Sequence, residues 1–194
     1  MGNSLAKRIV FFFFMLLAFP FVVLHKLESL LIGRDQSFNG FSQFLSLLPG
    51  VYGCSLRNAF YYQTLKKCSR NVRIEFGVTF VSPECSVGEH VYIGSGSLVA
   101  LADIANDVLI GSNVNILSGK EQHAIDDVNT PIRLQGGKRT MITIGEDSWI
   151  GNGAIVMANV GKKCIVAAGS IVTKDVEDYS IVGGNPAKII KKRI

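Results

Sequence analysis

Along the C-terminal half of the chain, isoleucine and valine recur at every sixth position. Val87, Ile93 and Val99 form one triplet, then Ile104, Ile110 and Ile116, then Ile144, Ile150 and Val156, then Val160, Val166 and Val172. A helix repeats near 3.6 residues and an amphipathic strand at 2, so neither alone produces this spacing. A period of six fits a solenoid in which each hexad supplies one short strand and a tight turn. Three hexads, roughly 18 residues, then close a triangular rung whose aliphatic side chains point inward and stack. Glycine follows the inward residue in Val87-Gly88, Ile93-Gly94, Ile110-Gly111, Ile144-Gly145 and Ile150-Gly151, which predicts corners that a Cβ would obstruct. Steps of five from Val99 to Ile104 and of four from Val156 to Val160 predict bulges or shortened corners. An ordinary β domain is also rich in valine and glycine, but it does not repeat four triplets at one spacing.

The N-terminal pattern is different. From Ile9 to Leu24 no side chain is charged or hydrogen-bonding for 16 residues, and the run lies between Lys7-Arg8 and His25-Lys26. As a straight helix it would reach about 24 Å, short of the roughly 30 Å of a hydrocarbon core. A second apolar stretch, Phe38 to Tyr62, has Pro49-Gly50 in its middle, and Gly33-Arg34-Asp35-Gln36 connects the two. The pair predicts either a helical hairpin that enters and leaves one leaflet, or a shallow helix followed by an amphipathic interfacial one. Pro20 predicts a bend near the far end of the first segment. A secretory signal would share the first 24 residues, but His25-Lys26-Leu27-Glu28 offers no small-residue cleavage site. A helix buried against the solenoid is the competing soluble arrangement, and the four consecutive phenylalanines Phe11 to Phe14, facing all ways, argue against it. The expected organisation is a membrane-associating helical region over 1–65, a coil over 66–184 and a basic tail over 185–194.

Composition agrees with one core plus an appendage: 194 residues, 48% hydrophobic, with a mean hydropathy of +0.32 that is high for a purely soluble domain. The net charge is +5, with basic clusters at Lys66-Lys67-Arg70 and at Lys188, Lys191, Lys192 and Arg193 that could meet anionic lipid or a phosphorylated ligand. No aromatic interleaving accompanies them, so nucleic acid is not an expected partner. Cys54, Cys68, Cys85 and Cys164 are too widely spaced for a metal knuckle or a redox dithiol. Reduced thiols in a cytosol-facing protein are expected, with Cys85 and Cys164 as packing residues.

The hexads stop at Ser118 and resume at Ile144, so 119–140 reads as a loop ejected from one corner. Functional groups tend to sit on loops held by a rigid scaffold. This one carries Gln122-His123-Ala124-Ile125-Asp126-Asp127. A histidine held by a carboxylate through its second nitrogen is suited to taking a proton from a hydroxyl or amine. A lone surface histidine beside chance acids is the bland reading, and the position of His123 in the single large insertion of a repeat array weighs against it.

From about Val72 to the C-terminus the sequence resembles the left-handed β-helix acyltransferases, in particular the maltose, galactoside and nodulation-factor acetyltransferase branch and its relatives in bacterial polysaccharide clusters. The matching residues are Ile116-Leu117-Ser118 and His123-Ala124-Ile125-Asp126, then Ile144 to Ala154 (IGEDSWIGNGA), then Ala167 to Asp175 (AAGSIVTKD) and Gly184-Asn185-Pro186-Ala187-Lys188. The resemblance implies a homotrimer with active sites between adjacent coils, and acetyl-CoA as donor. It implies His123 as general base, with Asp126 or Asp127 orienting the imidazole. It implies the backbone N–H at Asn152 beside the thioester, Ala168 where CoA approaches the backbone, Thr173 and Lys174 as a CoA contact, and Lys188 and Lys191 against the nucleotide phosphates. The last two are lysine where the family often has arginine, so bidentate phosphate binding is not available. Asp103 and Ser97 match positions of acceptor contacts, and Trp149 reads as a corner packing residue. The N-terminal apolar segment is absent from the soluble members and points to a lipid-linked or membrane-proximal acceptor.

The leading function is therefore an acetyl-CoA-dependent O-acetyltransferase acting on a sugar hydroxyl of a lipid-linked or surface polysaccharide precursor. The alternatives are N-acetylation of an amino sugar and a non-catalytic trimeric scaffold. A β-helical carbonic anhydrase or other metal enzyme would need three histidines brought together between coils, and the chain has only His25, His90 and His123. Since acetyl-CoA is a cytosolic metabolite, the expected location is the cytoplasmic face of a bacterial inner membrane.

Overall fold

The computed structural model describes residues 5–194. Three helices precede a parallel β-helix: α1 (Leu5–Ile32), α2 (Arg34–Ser46) and α3 (Gly50–Thr64). The first rung contains β1 (Lys67–Cys68), β2 (Arg73–Ile74) and β3 (Thr79–Phe80). The second contains β4 (Ser86–Val87), β5 (Tyr92–Ile93) and β6 (Leu98–Val99). The third contains β7 (Ala102–Ile104), β8 (Leu109–Ile110) and β9 (Asn115–Ile116), and the fourth β10 (Ile142–Ile144), β11 (Trp149–Ile150) and β12 (Ile155–Val156). In the fifth, a bridge at Val160 precedes β13 (Ile165–Val166) and β14 (Ile171–Val172). In the sixth, a bridge at Val176 precedes β15 (Ser180–Gly183) and β16 (Lys188–Lys192).

Each hexad triplet is one rung. Register stacks Cys68, Val87, Ile104, Ile144, Val160 and Val176 in the first sheet. Ile74, Ile93, Ile110, Ile150, Val166 and Val182 stack in the second, and Phe80, Val99, Ile116, Val156 and Val172 in the third. All are buried and form one continuous core. The short steps after Val99 and Val156 both fall at the corner leading from the third sheet back to the first, where the turn loses a residue or two without disturbing the ladder.

The glycines after the inward aliphatics act through crowding between rungs. Positive φ falls further along each corner, at His90, Asp107, Asp147, Lys163 and Tyr179 on one edge and at Gly96, Asn113, Gly153 and Gly169 on the next. A Cβ on Gly151 would instead stand 2.5 Å from the backbone nitrogen of Ala168 in the rung above, and one on Gly94 would stand 2.6 Å from the Gly111 carbonyl carbon. Because the opposing atoms are backbone, Gly151→Ala is expected to destabilise the coil by about 3 kcal/mol, the upper end of overpacking costs. Thermal unfolding of the variant against wild type checks this.

Residues 188–192, expected within a tail, form β16 antiparallel to β15, and a register shift separates Ile181 from Val182. Reversal of direction ends the parallel ladder.

The helices cover the N-terminal end of the coil. α2 and α3 pack on the first rung through Phe38, Leu45, Phe60 and Tyr61, all fully buried. Tyr61 stacks edge-on against Phe80 at 4.8 Å, and Ser42 Oγ bridges the Tyr61 hydroxyl at 2.7 Å and the Phe80 N–H at 2.8 Å. Arg57, also fully buried, donates to the carbonyls of Leu45 (3.0 Å), Leu48 (2.6 Å) and Ile74 (3.2 Å). The guanidinium thereby adds to the backbone N–H groups of Leu47 and Leu48 that close the C-terminal end of α2, and ties α3 to β2.

α1 is continuous through Pro20 and is longer than the apolar run alone, about 42 Å at the usual rise. Only the stripe Phe14, Ala18, Val22 and His25 is buried, at helical spacing, against α2 and α3. Leu5, Ile9, Phe12, Phe13, Leu16, Phe19, Leu30 and Leu31 are all more than half exposed. The helix is neither buried against the coil nor detached from it. It lies on a helical layer with its apolar remainder facing outward.

Candidate functional site

The ejected segment leaves after β9 and returns at β10, so it emerges between the third and fourth rungs. Its neck is closed by the Thr140 N–H donating to the Ser118 carbonyl at 2.9 Å. Above it the strands are held by Lys138 N–H to Glu121 O at 2.7 Å and Ala124 N–H to Gly136 O at 3.0 Å. Gln135 braces the tip: its amide donates to the Asp127 carbonyl at 2.7 Å and the Thr130 carbonyl at 2.6 Å and accepts from the Asp127 N–H at 3.2 Å. A short 3₁₀ turn, Ile132–Leu134, lies between these contacts. Gly137 passes so close beneath His123 that a Cβ there would stand 2.8 Å from the His123 nitrogen. Arg139 pairs with Asp35 at 3.1 Å, linking the returning limb to the start of α2; both side chains are about half exposed, so the pair guides more than it stabilises.

This framework leaves the His123 ring exposed, with no hydrogen bond to any described residue. The two acids offered by the sequence behave differently. Asp127 closes a turn by accepting from the Asn129 N–H at 2.9 Å, and hydrogen bonding by the Thr130 hydroxyl first and the Asn129 N–H second holds its carboxyl below the usual range. Asp126 is exposed and engaged with no described residue, and it does not touch the His123 ring. The one histidine–carboxylate contact in the coil is elsewhere, His90 Nδ1 to Asp107 Oδ1 at 3.1 Å, between exposed corner residues of consecutive rungs. Sequence reasoning missed it because a separation of 17 residues pairs two chains only once the rung length is known.

The remaining candidates fall into three groups. Asn152 and Ala168 stack in adjacent rungs at the corner between the second and third sheets. The Asn152 side chain accepts from the Ser112 N–H at 3.0 Å and its carbonyl from the Gly169 N–H at 2.8 Å. The backbone N–H groups of Asn152 and Ala168, both exposed residues, themselves donate to no described residue. Thr173 and Lys174 lie at the next corner, on a cleft of about 420 Å³ whose other wall is the base of the ejected loop, Gly119 to Glu121 and Thr140. Lys188 and Lys191 are exposed on β16 without acidic partners, whereas Lys192 is held by Glu177 at 3.0 Å and by Ser180 Oγ at 3.0 Å. Ser97 is not available to an acceptor: it is buried, donates to the Gly111 carbonyl at 2.9 Å and accepts from the Val114 N–H at 3.1 Å. Asp103 is exposed on β7.

Within one chain these groups do not share a pocket with His123. The outer face of the second sheet carries a feature the period of six had obscured. Tyr92, Leu109, Trp149, Ile165 and Ile181 follow one another in register, and Leu109 and Trp149 are each about half exposed. Each lies one place before an inward aliphatic, which was the legible signal. Trp149 is thus an outward strand residue and not a corner one. The loop is apolar outward too, with Ile125 69% and Val128 93% exposed. Cys68, Cys85 and Cys164 are buried packing residues, and burial pushes the first two thiols up to about 12 and about 11.

A family model described as hexapeptide repeat of succinyl-transferase matches residues 141–174, the fourth and fifth rungs. A putative acetyltransferase of Saccharomyces cerevisiae, YJL218W, is 37% identical over 120 residues, 56% of this chain and 59% of that protein. The putative lipopolysaccharide biosynthesis O-acetyl transferase WbbJ of Escherichia coli is 30% identical over 123 residues, 60% of this chain and 61% of that one. The chain therefore spans less than two thirds of the length of these relatives. Among solved structures, a galactoside acetyltransferase in complex with coenzyme A superposes with a TM-score of 0.68 at 21% identity, over 82% of each chain, a likeness of fold.

Proposed function

Since the chain belongs to the hexapeptide-repeat acyltransferases, we propose that it transfers an acetyl group from acetyl-CoA to a sugar hydroxyl, with His123 as general base. The observation that carries this reading is the loop: Gln135 and Asp127 are spent on bracing its tip, while the His123 ring and, three residues on, the Asp126 carboxylate are left exposed and unengaged by any described residue. The imidazole takes the acceptor's hydroxyl proton as the oxygen attacks the thioester carbonyl. The tetrahedral oxyanion collapses by breaking the carbon–sulfur bond, and the proton returns to the departing CoA thiolate. The Asn152 N–H, which has no acceptor among the described residues, is a donor of the kind that stabilises such an oxyanion. With Asp127 committed to its turn, Asp126 is the carboxylate left to steady the imidazolium.

The separation of His123 from the corners bearing Asn152, Ala168, Thr173 and Lys174 supports a site shared between copies, as in a homotrimer. The partly exposed column from Tyr92 to Ile181, with Leu109 and Trp149 about half exposed, and the apolar loop tip are surfaces that such packing would cover. The unpaired Lys188 and Lys191 suit the phosphates of CoA, and the double variant Lys188→Gln/Lys191→Gln is expected to raise KM for acetyl-CoA about tenfold with kcat little changed, a loss of roughly 1.4 kcal/mol of charge-assisted binding. Steady-state kinetics measure both.

The outward apolar face of α1 favours an acceptor at a lipid surface, on the cytoplasmic side of a bacterial inner membrane where acetyl-CoA is available. A lipid-linked or nascent surface polysaccharide fits both this placement and the relationship to WbbJ. The test is release of free CoA by the full chain in detergent with acetyl-CoA, comparing lipid-linked with free sugars. Turnover on a lipid-linked sugar supports the reading. Turnover confined to an amino sugar would move the assignment to N-acetylation, and failure to bind acetyl-CoA would leave a scaffold.

A further inference from the structure

A second concave site lies far from the loop, where the first turns of α1 cross α3 and the start of the coil. It has a volume of about 350 Å³. Val10, Phe11 and Phe14 form its apolar wall, and Arg8 and Arg70 lie on its rim. Neither arginine enters an ion pair among the described residues, and no carboxylate lines the cavity. Asn58, 8% exposed, is one of its lining residues and also lines the neighbouring cavity beside Val51 and Cys54. The Asn58 Nδ2 donates to the carbonyls of Arg70 at 2.9 Å and Val72 at 3.3 Å, which fixes the orientation of the amide. Its Oδ1 is then the one buried side-chain polar atom among the described residues without a hydrogen-bond partner. An orphaned buried acceptor costs about 1–3 kcal/mol, so it marks a place where a donor belongs.

We propose that this cavity binds a phosphate-bearing lipid. The two guanidinium groups supply charge-assisted donors to the phosphate, and a headgroup hydroxyl donates to Asn58 Oδ1. The acyl or prenyl chain runs along the exposed face made by Ile9, Phe12 and Phe13. From Arg8 to the end of α1 is about 36 Å at helical rise, and α1 ends next to the loop's tether at Asp35. The site therefore holds the protein on the membrane and does not present the reacting hydroxyl. It rests on the membrane-associated part of the proposed function and is independent of the acetyl-transfer chemistry.

Two sources share this chemistry, a bilayer phospholipid and the lipid carrier of a glycan. Calorimetric titration of the full chain in a non-ionic polyoxyethylene detergent separates them, using dihexanoyl phosphatidylglycerol, a short polyprenyl diphosphate, dihexanoyl phosphatidylcholine and inorganic phosphate as probes. The expected result is binding of one or both anionic lipids at least tenfold tighter than of phosphatidylcholine or inorganic phosphate, with the tighter one naming the source. Arg8→Gln/Arg70→Gln should lose that advantage tenfold or more and keep wild-type CoA release on a water-soluble sugar. Equal binding of phosphatidylcholine, or a double variant that binds as wild type does, would overturn the proposal by showing apolar adsorption only. Inorganic phosphate binding as tightly as the lipids would overturn the lipid assignment. Because no arm of the titration contains acetyl-CoA, failure here leaves the acetyltransferase reading standing, and loss of CoA release in the wild type would strike that reading alone.

Discussion

Replacing His123 with alanine is expected to lower kcat for acetyl transfer by roughly 10²- to 10⁴-fold, the usual worth of a positioned general base, while KM for acetyl-CoA changes little. The split follows from where the residue sits. The ring projects from the ejected loop and holds up nothing: no described residue hydrogen-bonds to it, and the loop is closed by Gln135, by the neck at Ser118 and Thr140 and by the close passage of Gly137. The variant should therefore fold, assemble and bind CoA as the wild type does, and lose only the proton transfer. Asp126→Asn should cost less, about tenfold, because it removes the charge that steadies the imidazolium and leaves the base in place. Asp127→Asn should act through the loop, since its carboxylate closes the turn with Asn129 and Thr130. Thiol-specific detection of released CoA reads all three. An unchanged kcat in His123→Ala would remove the histidine from the mechanism.

The largest effect on stability should come from a residue far from that loop. Arg57→Leu keeps most of the volume but leaves the carbonyls of Leu48 and Ile74 without the arginine donor and leaves Leu45 with only the Leu48 N–H, inside a buried layer. Two buried acceptors left bare at about 1–3 kcal/mol each, with a third weakened, give a loss of about 3–5 kcal/mol. For a chain of this size that corresponds to a fall in Tm of roughly 10 °C. The helical circular dichroism signal should melt ahead of the β signal, because Arg57 joins the helical layer to the first rung and the upper rungs contact only their neighbours. A variant that melts within about 2 °C of wild type would mean the carbonyls find other donors.

The coil was legible in the sequence because its period is enforced at every rung. One inward aliphatic per hexad is the only way to fill a prism whose walls are two residues wide, so the four triplets from Val87 to Val172 mark the rungs without reference to any contact. The same regularity made the interruption at 119–140 visible, and with it His123. Glycine positions were legible as well, but their reason was not: the backbone of Ala168 above Gly151 belongs to the next rung, and only the stacked structure brings it within 2.5 Å.

Other features depended on non-local contacts. The apolar run Ile9 to Leu24 could be recognised, but hydropathy does not say which stripe of a helix will be covered; that was decided by the docking of α2 and α3 on the first rung. Arg57 looked like an ordinary helical arginine because its partners lie 9 to 17 residues away, at the end of α2 and in β2. The cavity at Asn58 joins α1, α3 and the first rung, and has no signature along the chain. Sequence by itself determined the repeat, the rung boundaries and the interruption that carries His123, since these are set by local periodicity and side-chain chemistry. Tertiary structure alone decided which polar groups are spent on bracing and which are left free, because a hydrogen bond between distant segments depends on how the rungs stack and how the helical layer seats on them.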